Sequence, residues 1–153
     1  MQFTGYPGSP RKDATGLMRA SNLVGMDDEL EAIAKGARLR VASAQERVRI
    51  LTAVLRGIDR YDDLIAIMRS SESADEGRRR VAEQMSLDQI QANAVTGITM
   101  NMLTERHRRM MAEDYDRSVA TIADLEAVLA SPERLRELAG TERGASLARY
   151  GAE

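Results

Sequence analysis

Cysteine and tryptophan are absent from this 153-residue chain, phenylalanine occurs once, and aromatic residues make up 3% of it. Without cysteine there is no disulfide framework and no zinc-thiolate centre. With so few rings, core filling falls to leucine, isoleucine, valine and nine methionines, which suits the thin core of paired helices. No apolar run approaches the ~20 residues of a membrane-spanning helix, so no membrane partner is expected. The polar start MQFTGYPGSPRKDATG lacks the apolar core of a signal peptide, which gives a cytoplasmic reading. No nucleotide-binding motif of the GxxxxGK type occurs, and no cofactor is expected. Net charge is only −2, without the overall cationic excess of a general nucleic-acid binder.

What is present is periodicity. Leu30, Ala34, Ala37, Val41, Ala44, Val48, Leu51, Leu55 and Ile58 recur alternately every fourth and third residue, and Met111, Tyr115, Ser118, Ile122, Leu125 and Leu129 do the same. A period of about 3.5 residues keeps one stripe of a helix turned toward a partner helix, so each ladder reads as one side of a coiled coil. At about 1.5 Å per residue the first ladder extends roughly 45 Å, the length of an arm. The expected fold is all-α: a long antiparallel helical hairpin with a small knob of short helices at its distal end.

Local signals divide the chain. Residues 1–26 hold Gly5, Pro7, Gly8, Pro10 and Gly16 without a sustained period and read as a flexible N-terminal tail. Asp28 with Glu31 resembles a capping box opening the first arm, and Gly57 and Asp59 weaken its end. Short helices are expected around 61–70, from Ser73 with Glu76, and from Ser86 with Gln89, where Gly97 and Thr99 loosen the end. The second arm follows Thr104, and Ser131 with Pro132 starts another helix. Residues 27–140 therefore read as arm plus knob. Gly140 and Gly144 are expected to end regular structure, leaving 141–153 as a C-terminal tail.

Charge is distributed unevenly. Between 38 and 60, Arg38, Arg40, Arg47, Arg49, Arg56 and Arg60 face only Glu46 and Asp59. Between 113 and 137, seven acids, among them Asp114, Asp116 and Asp124, face Arg117, Arg134 and Arg136. Complementary flanking charge helps select a coiled-coil partner, although two ordinary solvated faces would show the same composition.

These features resemble the coiled-coil and C-gate region found in the A subunit of DNA gyrase and of its topoisomerase IV relative, over residues 38–140. Arg38-Leu39-Arg40 followed by Ala44, Glu46, Arg47, Ile50 and Leu51 is similar to the family's outgoing arm, and Ile58-Asp59 with Leu64-Ile65 and Ile67 to its turn into the knob. Gln91-Ala92-Asn93-Ala94 with Leu103-Thr104 resembles the gate helix and the loop after it. Ala123, Leu125, Leu129, Ser131, Pro132, Glu133, Arg134 and Leu135 stand where the family's returning arm ends. The resemblance implies a non-catalytic dimer contact through which a transported DNA segment leaves. Gly97, Thr99 and Met102 replace residues usually charged in the family, which implies a less polar and more permanent contact.

On this reading the chain is not an enzyme but a homodimerising interaction or regulatory module, with Val95, Ile98, Met100, Met102 and Leu103 as the dimer interface. Its further partner would be the gyrase A subunit. The alternatives are a DNA-binding, nucleoid-associated dimer and a detached piece of a topoisomerase A subunit. Possible DNA contacts, weak ones, are Arg78, Arg79, Arg80, Arg106, Arg108 and Arg109; each cluster is equally compatible with a solvated face. No metal site or catalytic residue is assigned. His107, the only histidine, stands among arginines without an orienting partner or pocket. Arg60-Tyr61 and Arg149-Tyr150 copy the dipeptide of a DNA-cleaving site without its winged-helix setting.

Overall fold

The computed structural model describes the backbone of residues 14–152 and the side chains of residues 25–152. Among the described residues there are seven α-helices, one short 3₁₀ helix and no strand: α1 (Ala14–Asp59), α2 (Tyr61–Arg69), α3 (Ala74–Met85), α4 (Gln89–Thr96), the 3₁₀ helix (Met100–Leu103), α5 (Glu105–Leu129), α6 (Pro132–Leu138) and α7 (Glu142–Tyr150). Among these residues no helix is long and apolar enough to cross a membrane.

The ends of these helices follow side-chain chemistry. Ser73, Thr104 and Ser131 each accept the backbone N–H three residues on, satisfying a first-turn amide that has no intrahelical partner. Pro132 occupies the first turn of α6, where its missing N–H costs nothing. Two expected starts move. Ser86 does not cap α4; it closes α3 in the left-handed region at φ 54°, while Leu87 N–H reaches back to the Ala82 carbonyl at 2.8 Å. Asp88 supplies the cap instead, in a reciprocal box with Gln91. Likewise Asp28 and Glu31 lie inside α1, which is helical from Ala14. Of the tail expected over 1–26, residues 1–13 lie outside the described residues and the rest belongs to α1.

Packing makes two buried groups. Ile33, Ala37, Val41, Leu125 and Leu147 form one; Ala53, Val54, Ile58, Leu64, Ile67, Val81, Met85, Val95, Ile98 and Met111 form the other. Helices α1 and α5 run antiparallel: Asp59 pairs with Arg108, Arg47 with Asp114, and Val41 shares a cluster with Leu125. Every position of the α5 ladder is buried or half-buried. In α1 the stripe drifts, because beyond Val48 the helix also meets α4; Ala53, Val54 and Gly57 are buried while Leu51 and Leu55 are only half-buried. Gly57 does not break α1. A β-carbon there would stand 2.9 Å from Val95 and Ile98, so the glycine lets α4 and the residues after it seat against α1.

The C-terminal tail expected over 141–153 is a correction. Thr141 caps α7 by accepting the Gly144 N–H at 3.0 Å, and α7 packs on α1 with Leu147 1% exposed. Gly144 is no breaker here. It sits where a side chain would overlap the Leu138 carbonyl and press on Ile33, and Gly36 and Gly151 bring the two helix backbones into direct contact.

Candidate interaction surfaces

Of the five residues read as a dimer face, Val95 and Ile98 are 1% and 7% exposed inside this chain's own core. They are therefore corrected: their apolar character is consumed by Gly57, Leu64 and the rest of that cluster. Met102 and Leu103 are half-buried and anchored on the same core. Met100, at the start of the 3₁₀ helix, is 78% exposed. Ile90, Ile65 and Met110 are likewise exposed apolar residues.

The six candidate DNA-contacting arginines do not behave as one group. Arg78 pairs with Asp75 at 2.9 Å, and Arg80 donates to the Ser70 carbonyl and to the Ser70 and Ser71 hydroxyls, each at 3.1 Å. Arg108 is held by Asp59 at 2.6 Å, and Arg109 lies 3.8 Å from Glu105. Arg79 and Arg106 have no ion-pair partner among the described residues. Arg78 and Arg79 line a cavity of about 760 Å³ between α3 and α4, floored by Ala82 and Ala92. The α5 cluster sits apart, on the helix that packs against α1, whereas α3 packs on α2 and α4.

Arg60 and Tyr61 are separated in role, Arg60 pairing with Asp63 at 2.9 Å and Tyr61 packing half-buried on the core. Tyr150 lies under the Arg40 guanidinium, 5.7 Å from ring centroid to cation. His107 is half-buried in a shallow hollow with Arg47, Met111 and Asp114. Among the described residues no group of three or more His, Cys, Asp or Glu is placed to hold a metal.

The complementary charge of the arms is used sparingly. Arg47 donates to Asp114 across α1 and α5, through Nε at 2.8 Å and through Nη2. Asp59 and Arg108 pair across the same two helices with the signs reversed, while Arg49 turns to Glu46 and to Asp88 ahead of α4, and Asp124 to Arg143 of α7. The hydrogen bond from Arg47 holds the Asp114 carboxyl below its ordinary range, against the opposing pull of desolvation. A depressed carboxylate pKa contributes stability above the unfolded value and loses it as pH falls through the folded one. Acid titration followed by circular dichroism should therefore show the α1–α5 contact loosening below the usual carboxylate range. Asp114→Asn should flatten that part of the curve, and an unchanged curve would remove Arg47–Asp114 from the stability of the pair.

Residues 24–142 match the family model for the A subunit of DNA gyrase/topoisomerase IV. The DNA gyrase A subunit of Mycobacterium tuberculosis (strain ATCC 25618 / H37Rv) is 33% identical over 126 residues, which is 82% of this chain and 15% of that protein. Its counterpart in Mycolicibacterium smegmatis is 34% identical over 117 residues, 76% of this chain and 14% of the relative. That of Streptomyces coelicolor is 30% identical over 126 residues, 82% and 15% respectively. The chain thus spans about 15% of the length of these curated relatives.

Proposed function

Because the chain belongs to the family of DNA gyrase and topoisomerase IV A subunits, we propose that it is the counterpart of their coiled-coil and C-gate region, acting as a non-catalytic homodimerising module. In this reading α1 and α5 are the arm, and α2, α3, α4 and the 3₁₀ helix are the knob that meets a second copy. The observation that supports it is Met100, 78% exposed on a short helix whose neighbours Met102 and Leu103 are rooted in the core. A flexible apolar side chain held out on a rigid base is suited to an interface that excludes water. The same surface would let the module pair with the gate of gyrase itself and so act as an interaction or regulatory protein. Neither arginine–tyrosine dipeptide has the setting for strand cleavage, since Arg60 is tied to Asp63 and Tyr150 to Arg40.

Light scattering should report a dimer at micromolar protein. Met100→Asp should raise its dissociation constant roughly tenfold or more, about 1.4 kcal/mol, with helicity unchanged. A variant that stayed equally dimeric would move the interface away from the 3₁₀ helix. Capture of gyrase A by the wild type and not by the variant would support the regulatory role. The second reading, weak DNA binding, rests on Arg79 and Arg106, the two cluster arginines with neither an ion pair nor a side-chain hydrogen bond among the described residues. A mobility shift lost at higher salt and on replacing both with Gln would favour it.

A further inference from the structure

A polar groove runs where α1, α5 and α7 meet, lined by Arg40, Ser43, Arg47, Arg117, Thr121 and Tyr150 around Asp114. It holds about 300 Å³, and past Arg40 and Thr121 a second hollow of about 270 Å³ adjoins it beside Arg143 and Ser146. Three guanidiniums against one carboxylate leave the groove cationic. Asp114 accepts from Arg47 on one oxygen and lies 3.6 Å from Arg117 on the other, so it fixes both guanidiniums while neutralising only one charge. Arg40 has no carboxylate partner among the described residues. It is steadied instead over the Tyr150 ring, which orients a guanidinium without cancelling its charge. Ser43 adds an exposed hydroxyl that makes no side-chain hydrogen bond among the described residues.

Planar guanidiniums pre-positioned at two sides of a small hollow, with the free Ser43 hydroxyl in the same lining, match the oxygens of phosphate groups. We propose that this groove binds a small oligophosphate, either free or as a nucleoside ester. Two cationic centres, Arg40 on one side and Arg47 with Arg117 on the other, favour a chain of linked phosphates over a single one. None of the residues proposed for pairing at the 3₁₀ helix takes part, so the site stands independently of the dimer.

Titration calorimetry of the full chain with inorganic tripolyphosphate and, separately, with a nucleoside triphosphate tests it, with tyrosine emission as a second signal for Tyr150. Both should bind at one site and weaken with salt. Arg40→Gln and Arg117→Gln, both at exposed positions, should each weaken binding roughly tenfold or more, whereas Arg79→Gln, outside the groove, should not. Equal binding of the two ligands would mean that the phosphate chain alone is read; tighter binding of the nucleoside triphosphate would assign the site to the ester. Absence of binding by both, or binding that survives Arg40→Gln and Arg117→Gln, would overturn the proposal, as would affinity confined to long single-stranded DNA.

Discussion

Gly36→Val is expected to lower the melting temperature by about 10 °C, the shift that roughly 3 kcal/mol produces in a domain of this size. Gly36 lies where α7 crosses α1. A β-carbon there would overlap the Leu147 carbonyl, and Gly151 N–H stands close on the other side, so no side-chain rotation relieves the clash. α7 must lift off, and with it goes the cover of Ile33, Ala37 and Leu147, none of them more than 1% exposed. Gly25 is the internal control. It is exposed on the same helix with nothing near its α-carbon, so Gly25→Ala should stabilise α1 by about 0.5 to 1 kcal/mol through helix propensity. Thermal unfolding of both variants decides the matter, with proteolysis at Arg149 reporting the release of α7. A Gly36→Val chain that melts with the wild type would mean that α7 is not seated on α1.

That contact marks where reading the sequence stops short. Glycine punctuates helices by default, and Gly144 and Gly151 carry no local mark that distinguishes a breaker from a point of close approach. The difference lies in what each meets: for Gly151 the backbone of Gly36, more than a hundred residues away, and for Gly144 the Leu138 carbonyl at the end of α6 and the Ile33 side chain. Where the cause is local the sequence was legible: Ser73, Thr104 and Ser131 cap the helices they precede, and the spacing from Met111 to Leu129 places one face of α5 inward. Asp88 outcompeted Ser86 because the αL turn at Ser86 is needed to close α3. Beyond Val48 the α1 ladder stays buried or half-buried, but the inward face widens to include Ala53, Val54 and Gly57 for a tertiary reason. A period of about 3.5 assumes a single partner helix, whereas this end of α1 meets both α4 and α5. Charge was legible as a sum and not as a set of pairs, since Arg49 and Asp124 found nearer partners than the opposing arm. Of the groove arginines, Arg40 and Arg47 were visible only as members of a basic helix and Arg117 only as a cation within the acidic arm; no spacing rule brings Arg40 to Tyr150.

Apolar residues around the 3₁₀ helix pose the same question in its sharpest form, because a buried valine and an interface valine are chemically identical. Ile98→Asp separates them. Ile98 is 7% exposed among Val95, Leu64 and Ile58, so the new carboxylate would be buried without a partner, a change costing about 3 to 5 kcal/mol at neutral pH. Burial raises a carboxyl pKa, which works in the opposite sense to Asp114: the penalty is present above the folded pKa and shrinks as pH falls toward the unfolded value, where both states are protonated. The variant should therefore melt far below the wild type at neutral pH and regain part of the difference under mildly acidic conditions. Met100→Asp, at an exposed position, should melt as a wild-type monomer does at either pH. If Ile98→Asp instead kept the stability of a wild-type monomer and lost only its partner, Ile98 would face the second copy, and α4 would be an interface helix and not part of the core.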